Sequence, residues 1–187
     1  MLKRKNTLMI VSLIFVLLMG LLLYLVSMPA PSKLDSSDVP AQTYDSIVSI
    51  TDKKIVKISI KNSQESYEIS SEQKEDKQMY ILSGQDETKT SQSNARALFD
   101  SVINLKPTQI IDDIEDLSAY GLEEVNEELT VTFDNGEKIT LYLGVEAPLS
   151  KGVYMRVSGD EKVYLINQMD AEIFLNEKSF YQEKEQN

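Results

Sequence analysis

Residues 8–28, LMIVSLIFVLLMGLLLYLVSM, form an apolar run without a single charged side chain. As a helix rising 1.5 Å per residue it would reach about 32 Å, the depth of a bilayer's hydrocarbon core. Lys3, Arg4 and Lys5 stand just before it, and the first acidic residue is Asp35. The positive-inside rule therefore puts residues 1–7 in the cytoplasm and everything after the run on the far side of the membrane. A secretory signal peptide begins similarly, but its apolar region is about 7 to 15 residues long and closes on a small-x-small cleavage site. Ser27-Met28-Pro29-Ala30 lacks that pattern, and Pro31 follows it directly. The expectation is a retained single-pass anchor in the plasma membrane, contacting lipid through residues 8–28. Gly20, Ser12 and Ser27 do not make a small-xxx-small face, so the helix reads as a tether and not as a dimerisation element.

The chain beyond the anchor is long enough for one domain with a real core and too short for two comfortable ones. Its charge is lopsided. The whole sequence carries −11, and without the three cations ahead of the anchor 16 basic side chains face 30 acidic ones, a net −14. Such a field disfavours nucleic acid, and no local run of basic residues offsets it. There is no cysteine, which excludes disulfides and a lipid-modified terminus, and no histidine. Serine–histidine and cysteine–histidine catalysis, and zinc sites built on imidazole or thiolate, are thereby excluded.

Residues 29–45 (PAPSKLDSSDVPAQTYD) hold three of the five prolines and no hydrophobic period, the signature of a flexible linker. An extracytoplasmic α+β domain is expected over residues 46–182, followed by a charged tail over 183–187. Residues 55–60 alternate, with Val56, Ile58 and Ile60 facing inward, and residues 66–70 and 78–82 complete a three-stranded antiparallel meander with Tyr67 and Ile69 inward. Thr90 or Ser91 can cap a helix carrying Ala95, Leu98, Phe99, Val102, Ile103 and Leu105, stopped by Pro107. Residues 108–111 are a short strand. The acids Asp112, Asp113, Glu115 and Asp116 lack the glycine of a calcium loop and suit the start of a short helix at 117–120, with Gly121 as its left-handed end and Leu122 folding back. No metal or cofactor is implied.

Two alternating runs flank Asp134-Asn135-Gly136. A two-residue Asn-Gly loop would throw Leu129, Val131 and Phe133 onto the face opposite Ile139, Leu141 and Leu143. A three-residue loop over 134–136 pairs Val131 with Ile139 and Leu129 with Leu141, uniting the apolar set, and is the register expected. Residues 153–157 and 162–166 form a second hairpin with Val153, Met155, Val157, Val163 and Leu165 inward. Asp170 can cap a last helix carrying Ile173, Phe174 and, further on, Phe180.

The run LSAYGLEEVNEELTVTFDNGEKITLYLG, followed by VYMRVSGDEKVYLI, resembles the bacterial domain-of-unknown-function 4340 family. The Tyr-Gly-Leu of residues 120–122, the Asp-Asn-Gly turn, Leu143-Gly144, the strand of Tyr154 and the closing Val163-Tyr164 carry the resemblance, which extends over roughly residues 55–175. Tyr80 stands where members often have Trp, and Val125 lies near where a Pro often follows Gly-Leu. The resemblance implies a membrane-anchored or exported α+β domain, often encoded near ABC-type transport or gliding-motility-like components, and brings no catalytic residues.

With these hairpins, the sheet face away from the core would present Thr130, Thr132, Thr140, Tyr142, Tyr154, Arg156, Tyr164 and Ile166. Three tyrosines and an arginine on one face have the composition of a partner-binding surface, and Tyr142, Tyr154, Arg156 and Tyr164 are its expected contacts. The chain reads as a non-enzymatic accessory of a membrane assembly, with a transport complex as the partner that the resemblance implies. Two other classes compete: a ligand-binding or sensor ectodomain acting through a partner, since about seven cytoplasmic residues cannot hold a signalling domain, and a hydrolase using paired carboxylates about 5 to 9.5 Å apart in a cleft.

Overall fold

The computed structural model describes residues 44–184. The expected anchor at 8–28 and nearly all of the linker lie outside the described residues, and no helix among the described residues is long and apolar enough to cross a membrane. Eight strands form one antiparallel sheet: β1 (Ile55–Lys61), β2 (Ser66–Lys74), β3 (Lys77–Leu82), β4 (Gln109–Ile111), β5 (Glu127–Phe133), β6 (Lys138–Glu146), β7 (Val153–Val157) and β8 (Val163–Ile166), in the spatial order β3-β2-β1-β5-β6-β7-β8-β4. Two α-helices, α1 (Gln92–Ile103) and α2 (Gln168–Leu175), accompany it. The expected α+β class is the observed one.

Both helices lie on one face. Ala95, Leu98, Phe99 and Val102 of α1 and Ile173 and Phe174 of α2 share a single apolar core with Ile58, Ile60, Leu129, Val131, Leu141 and Met155 of the sheet. The β5–β6 hairpin explains why so many strands contribute. Val131 pairs with Ile139 and Leu129 with Leu141, as the three-residue loop requires, and Gly136 takes the left-handed conformation at φ 84°. The folded unit starts where the linker was expected to end: Ser46 Oγ donates to the Ile103 carbonyl at 2.5 Å, the Ile47 N–H donates to that of Leu105, and Val48 is buried.

Several local expectations are corrected. A bulge between Ile55 and Lys57 turns Val56 out of the core and puts Ile55 in. The cap of α2 is Asn167, whose side chain accepts the Asp170 N–H at 2.9 Å, so Asp170 falls in the first turn. Tyr181 (1% exposed) fills the place expected for Phe180 (48%), because the chain after α2 continues as a 3-10 turn with its own phase. The charged tail begins later than 183, since Glu183 N–H donates to the Lys89 carbonyl and Gln182 bridges to Thr90.

The most consequential correction concerns β8. Met155 pairs with Tyr164 and Arg156 with Val163, so Tyr164 and Ile166 face the core while Val163 and Leu165 face away from it. One residue of register reverses a whole strand because its side chains alternate with period two. The connecting turn sets that register. Gly159 adopts φ 78°, the Asp160 N–H reaches the Val157 carbonyl, and the Asp160 carboxylate accepts the Lys162 N–H at 3.1 Å and the Tyr164 hydroxyl at 2.5 Å.

Candidate functional site

The sheet face opposite the helices is covered at one end only. There the segment between β4 and β5 folds over β6 through β8. Asp116 caps its 3-10 turn (Ser118–Tyr120) by accepting the Ser118 N–H at 2.8 Å and the Ser118 hydroxyl at 2.6 Å. Gly121, at φ 65°, ends that turn, with its N–H on the Ser118 carbonyl and the Leu122 N–H on that of Leu117, the Schellman arrangement. This delivers Leu122 against Gly144, where a Cβ would lie 2.2 Å from the Tyr120 carbonyl oxygen. Leu122, Val163 and Leu165 are buried yet stand apart from the main core. Val163 and Leu165 are buried on the face away from the main core, which is why both faces of β8 are apolar.

The four expected site residues divide accordingly. Tyr154 is on the expected face, but its ring meets that of Tyr120 edge-on at 4.9 Å and helps hold the covering segment. Tyr164 is on the other face, bound to Asp160, and burial together with that hydrogen bond pushes its phenol well above the usual range. Tyr142 and Arg156 do belong together. They are cross-strand partners, half-buried, with the guanidinium 4.9 Å from the centre of the tyrosine ring. That distance is within the range of cation–π attraction. Arg156 Nε is buried without a hydrogen-bond partner.

Around this pair the sheet assembles a patch that no stretch of sequence displays. On the open face β1 contributes Lys57, Ser59 and Lys61, β5 contributes Glu128, Thr130 and Thr132, and β6 contributes Lys138, Thr140 and Tyr142. Lys61 pairs with Glu128 at 2.8 Å and Lys57 with Glu68 at 3.1 Å, while Thr130 and Thr140 exchange a hydroxyl hydrogen bond. The hydrogen bond from Lys57 holds the Glu68 carboxyl below its ordinary range, with Ser59 and the Lys138 charge adding to the effect. Lys138 and Arg156 make no ion pair among the described residues. A domain that is acidic as a whole thus shows one locally basic, threonine-rich face with an aromatic at its centre.

Beside the patch, Asp113, Ile114, Leu117, Arg156, Asp160 and Glu161 line an open cleft of about 480 Å³. It gathers three carboxylates, the arrangement a hydrolase would need, but Asp160 is held below its ordinary range by the Tyr164 hydroxyl. Among the described residues the carboxyl raised above that range is Asp170, through burial, and it does not line the cleft. No group of three or more potential metal ligands occurs among the described residues.

No curated protein and no solved structure matches this chain. A family model described as Domain of unknown function (DUF4340) matches residues 82–185, from the last residue of β3 through α2 and beyond, leaving β1 and β2 ahead of it. The match spans more than half of the chain, and the protein belongs to the DUF4340 family.

Proposed function

We propose that the chain is a non-enzymatic docking module, tethered by residues 8–28 with its folded part outside the cytoplasm, that engages an acidic surface of a membrane protein through the open sheet face centred on Tyr142 and Arg156. The observation that carries this reading is the pairing of an arginine, one nitrogen of which is buried and unpartnered, with a half-exposed tyrosine inside a basic patch. Tyrosine and arginine dominate binding energy at protein interfaces, and charge complementarity adds association rate and specificity. The uncovered backbone below them is a sheet, a rigid platform that loses little entropy on docking. A transport assembly is the partner class that the family resemblance suggests. The cleft carboxylates favour no hydrolytic role, because acid catalysis asks for one carboxyl held well above its ordinary range beside one that stays ionised.

The test is affinity capture with the full chain from native membranes. Replacing Tyr142 and Arg156 together by Ala should lower recovery of the partner at least about tenfold, as loss of two central anchors does, and higher salt should weaken capture by the unaltered chain. Both side chains lie outside the main core, so the domain should stay folded, its stability lowered by about 1 kcal/mol, the contribution of one cross-strand cation–π pair. Undiminished capture by the double variant would refute the assignment.

A further inference from the structure

A second concavity lies on the helix side, between α1, β3 and the chain leading into β1. It encloses about 320 Å³, within the size range of small-molecule sites, and is open to solvent on one side. Its wall is rigid on three counts. Lys54 is tied to the β5–β6 hairpin by its N–H on the Asp134 carboxylate at 3.1 Å and its carbonyl on the Asp134 N–H at 2.9 Å. Tyr80 packs on Phe99 with ring centres 4.9 Å apart, and the backbone of Tyr80 is clamped by the Gln92 side chain, which donates to its carbonyl at 2.8 Å and accepts its N–H at 3.0 Å.

Two features of this hollow have no partner within the domain. Tyr80, a residue only 6% exposed, lines the hollow, and its hydroxyl has no hydrogen-bond partner among the described residues and meets solvent instead. That leaves one phenol donor facing the hollow and available to a ligand. Lys54 and Arg96, both exposed at the mouth of the hollow, make no ion pair among the described residues. Lys53, which also lines the hollow, is already committed, 3.1 Å from Glu137 and 4.0 Å above the Phe133 ring. Asp100 contributes one opposing charge, four residues after Arg96 on the same helix, so Lys54 and Arg96 leave a surplus of one positive charge. The remainder of the lining is Ile50, Ile55, Phe99 and Ile103, with Ser71 and Gln78, which hydrogen-bond to each other.

We infer that this hollow is a binding site for a small organic monoanion, a monocarboxylate with an aromatic or branched apolar body, whose carboxylate is held by Lys54 and Arg96, whose acceptor oxygen takes the Tyr80 hydroxyl hydrogen, and whose body lies on Phe99 and Ile103. The site is independent of the docking face, since it shares no residue with it. It gives the chain a means of carrying or sensing a metabolite that the docking role alone does not require.

The test is titration of the isotope-labelled full chain, in detergent micelles, with 3-phenylpropionate, with the uncharged 3-phenylpropan-1-ol, and with inorganic phosphate. The expected result is saturable perturbation of the amides of residues 54, 78–80 and 96–103 and of the Arg96 side-chain N–H by 3-phenylpropionate, with Lys138 and Arg156 unmoved. The alcohol should bind at least about tenfold more weakly, each lost charged contact being worth on the order of 1.4 kcal/mol. Lys54→Gln with Arg96→Gln should remove the preference for the acid, and Tyr80→Phe, which keeps the packing, should weaken acid and alcohol alike. Equal binding of acid and alcohol, equal binding of phosphate at the same residues, or full affinity in the double variant would overturn the assignment.

Discussion

Gly144 shows how a single missing side chain lets two parts of the sequence meet. Any Cβ there would stand 2.2 Å from the Tyr120 carbonyl oxygen and 3.0 Å from Leu122 Cγ. Backbone cannot yield as a side-chain tip does, so Gly144→Ala should cost about 3 kcal/mol, the upper end for overpacking. Gly136→Ala meets nothing within 4 Å and faces only the strain of its positive φ, about 1 kcal/mol. Urea unfolding should return that order, and equal losses would mean the covering segment is not seated on β6. The Tyr164–Asp160 hydrogen bond makes a prediction about pH. It depresses the Asp160 carboxyl in the fold, so the stability it contributes is present above the ordinary aspartate range, about 3.9, and is lost as pH falls through the lower folded value. Tyr164→Phe should therefore destabilise by about 1 kcal/mol at pH 7, discounted for the exposure of Asp160, and by less at pH 3. A loss that does not shrink with acidification would show that Asp160 is not the partner that matters.

At the scale of elements, the exposed edge of β3 is answered by side chains instead of a ninth strand. Gln92 binds both backbone groups of Tyr80, and Thr90 Oγ1 accepts the Leu82 N–H at 3.0 Å. This substitutes for a neighbouring strand and blocks edge-to-edge association. Gln92→Ala should raise the hydrogen-exchange rate of the Tyr80 amide about tenfold, the equivalent of one hydrogen bond, while that of Ile58 in the sheet interior stays put. The elements that were legible beforehand share one property: a single apolar side. The Asp134–Gly136 hairpin follows from the one register that unites Leu129 and Val131 with Leu141 and Ile139, and α1 from the spacing of Ala95, Leu98 and Val102. The face of β8 was not decidable that way. Val163, Leu165, Tyr164 and Ile166 leave no polar side, because Val163 and Leu165 are buried on the face turned away from the main core. For the same reason Tyr142 and Arg156 could be placed on the open face from β6 and β7, whereas Tyr164 could not. The basic patch was hidden differently: Lys57, Lys61, Lys138 and Arg156 come from three separated strands and become neighbours only when β1 inserts beside β5.

For the molecule as a whole, location, charge and the uncovered face bear on one another. An acidic body is repelled from anionic surfaces, so a basic face of limited extent orients encounter with an acidic partner without general stickiness. The chain has no cysteine, so one introduced thiol reports on one place. The most direct measurement is labelling by a membrane-impermeant maleimide of two single-cysteine variants, Gln64→Cys in the exposed turn between β1 and β2 and Thr130→Cys on the open face, each in intact cells and after purification in detergent. The account predicts that Cys at position 64 is labelled in both settings and that Cys at position 130 is protected in cells and labelled once the protein is pure. Failure of both to react in intact cells would contradict the outward orientation, and equal reaction of both there would contradict a partner seated on the sheet.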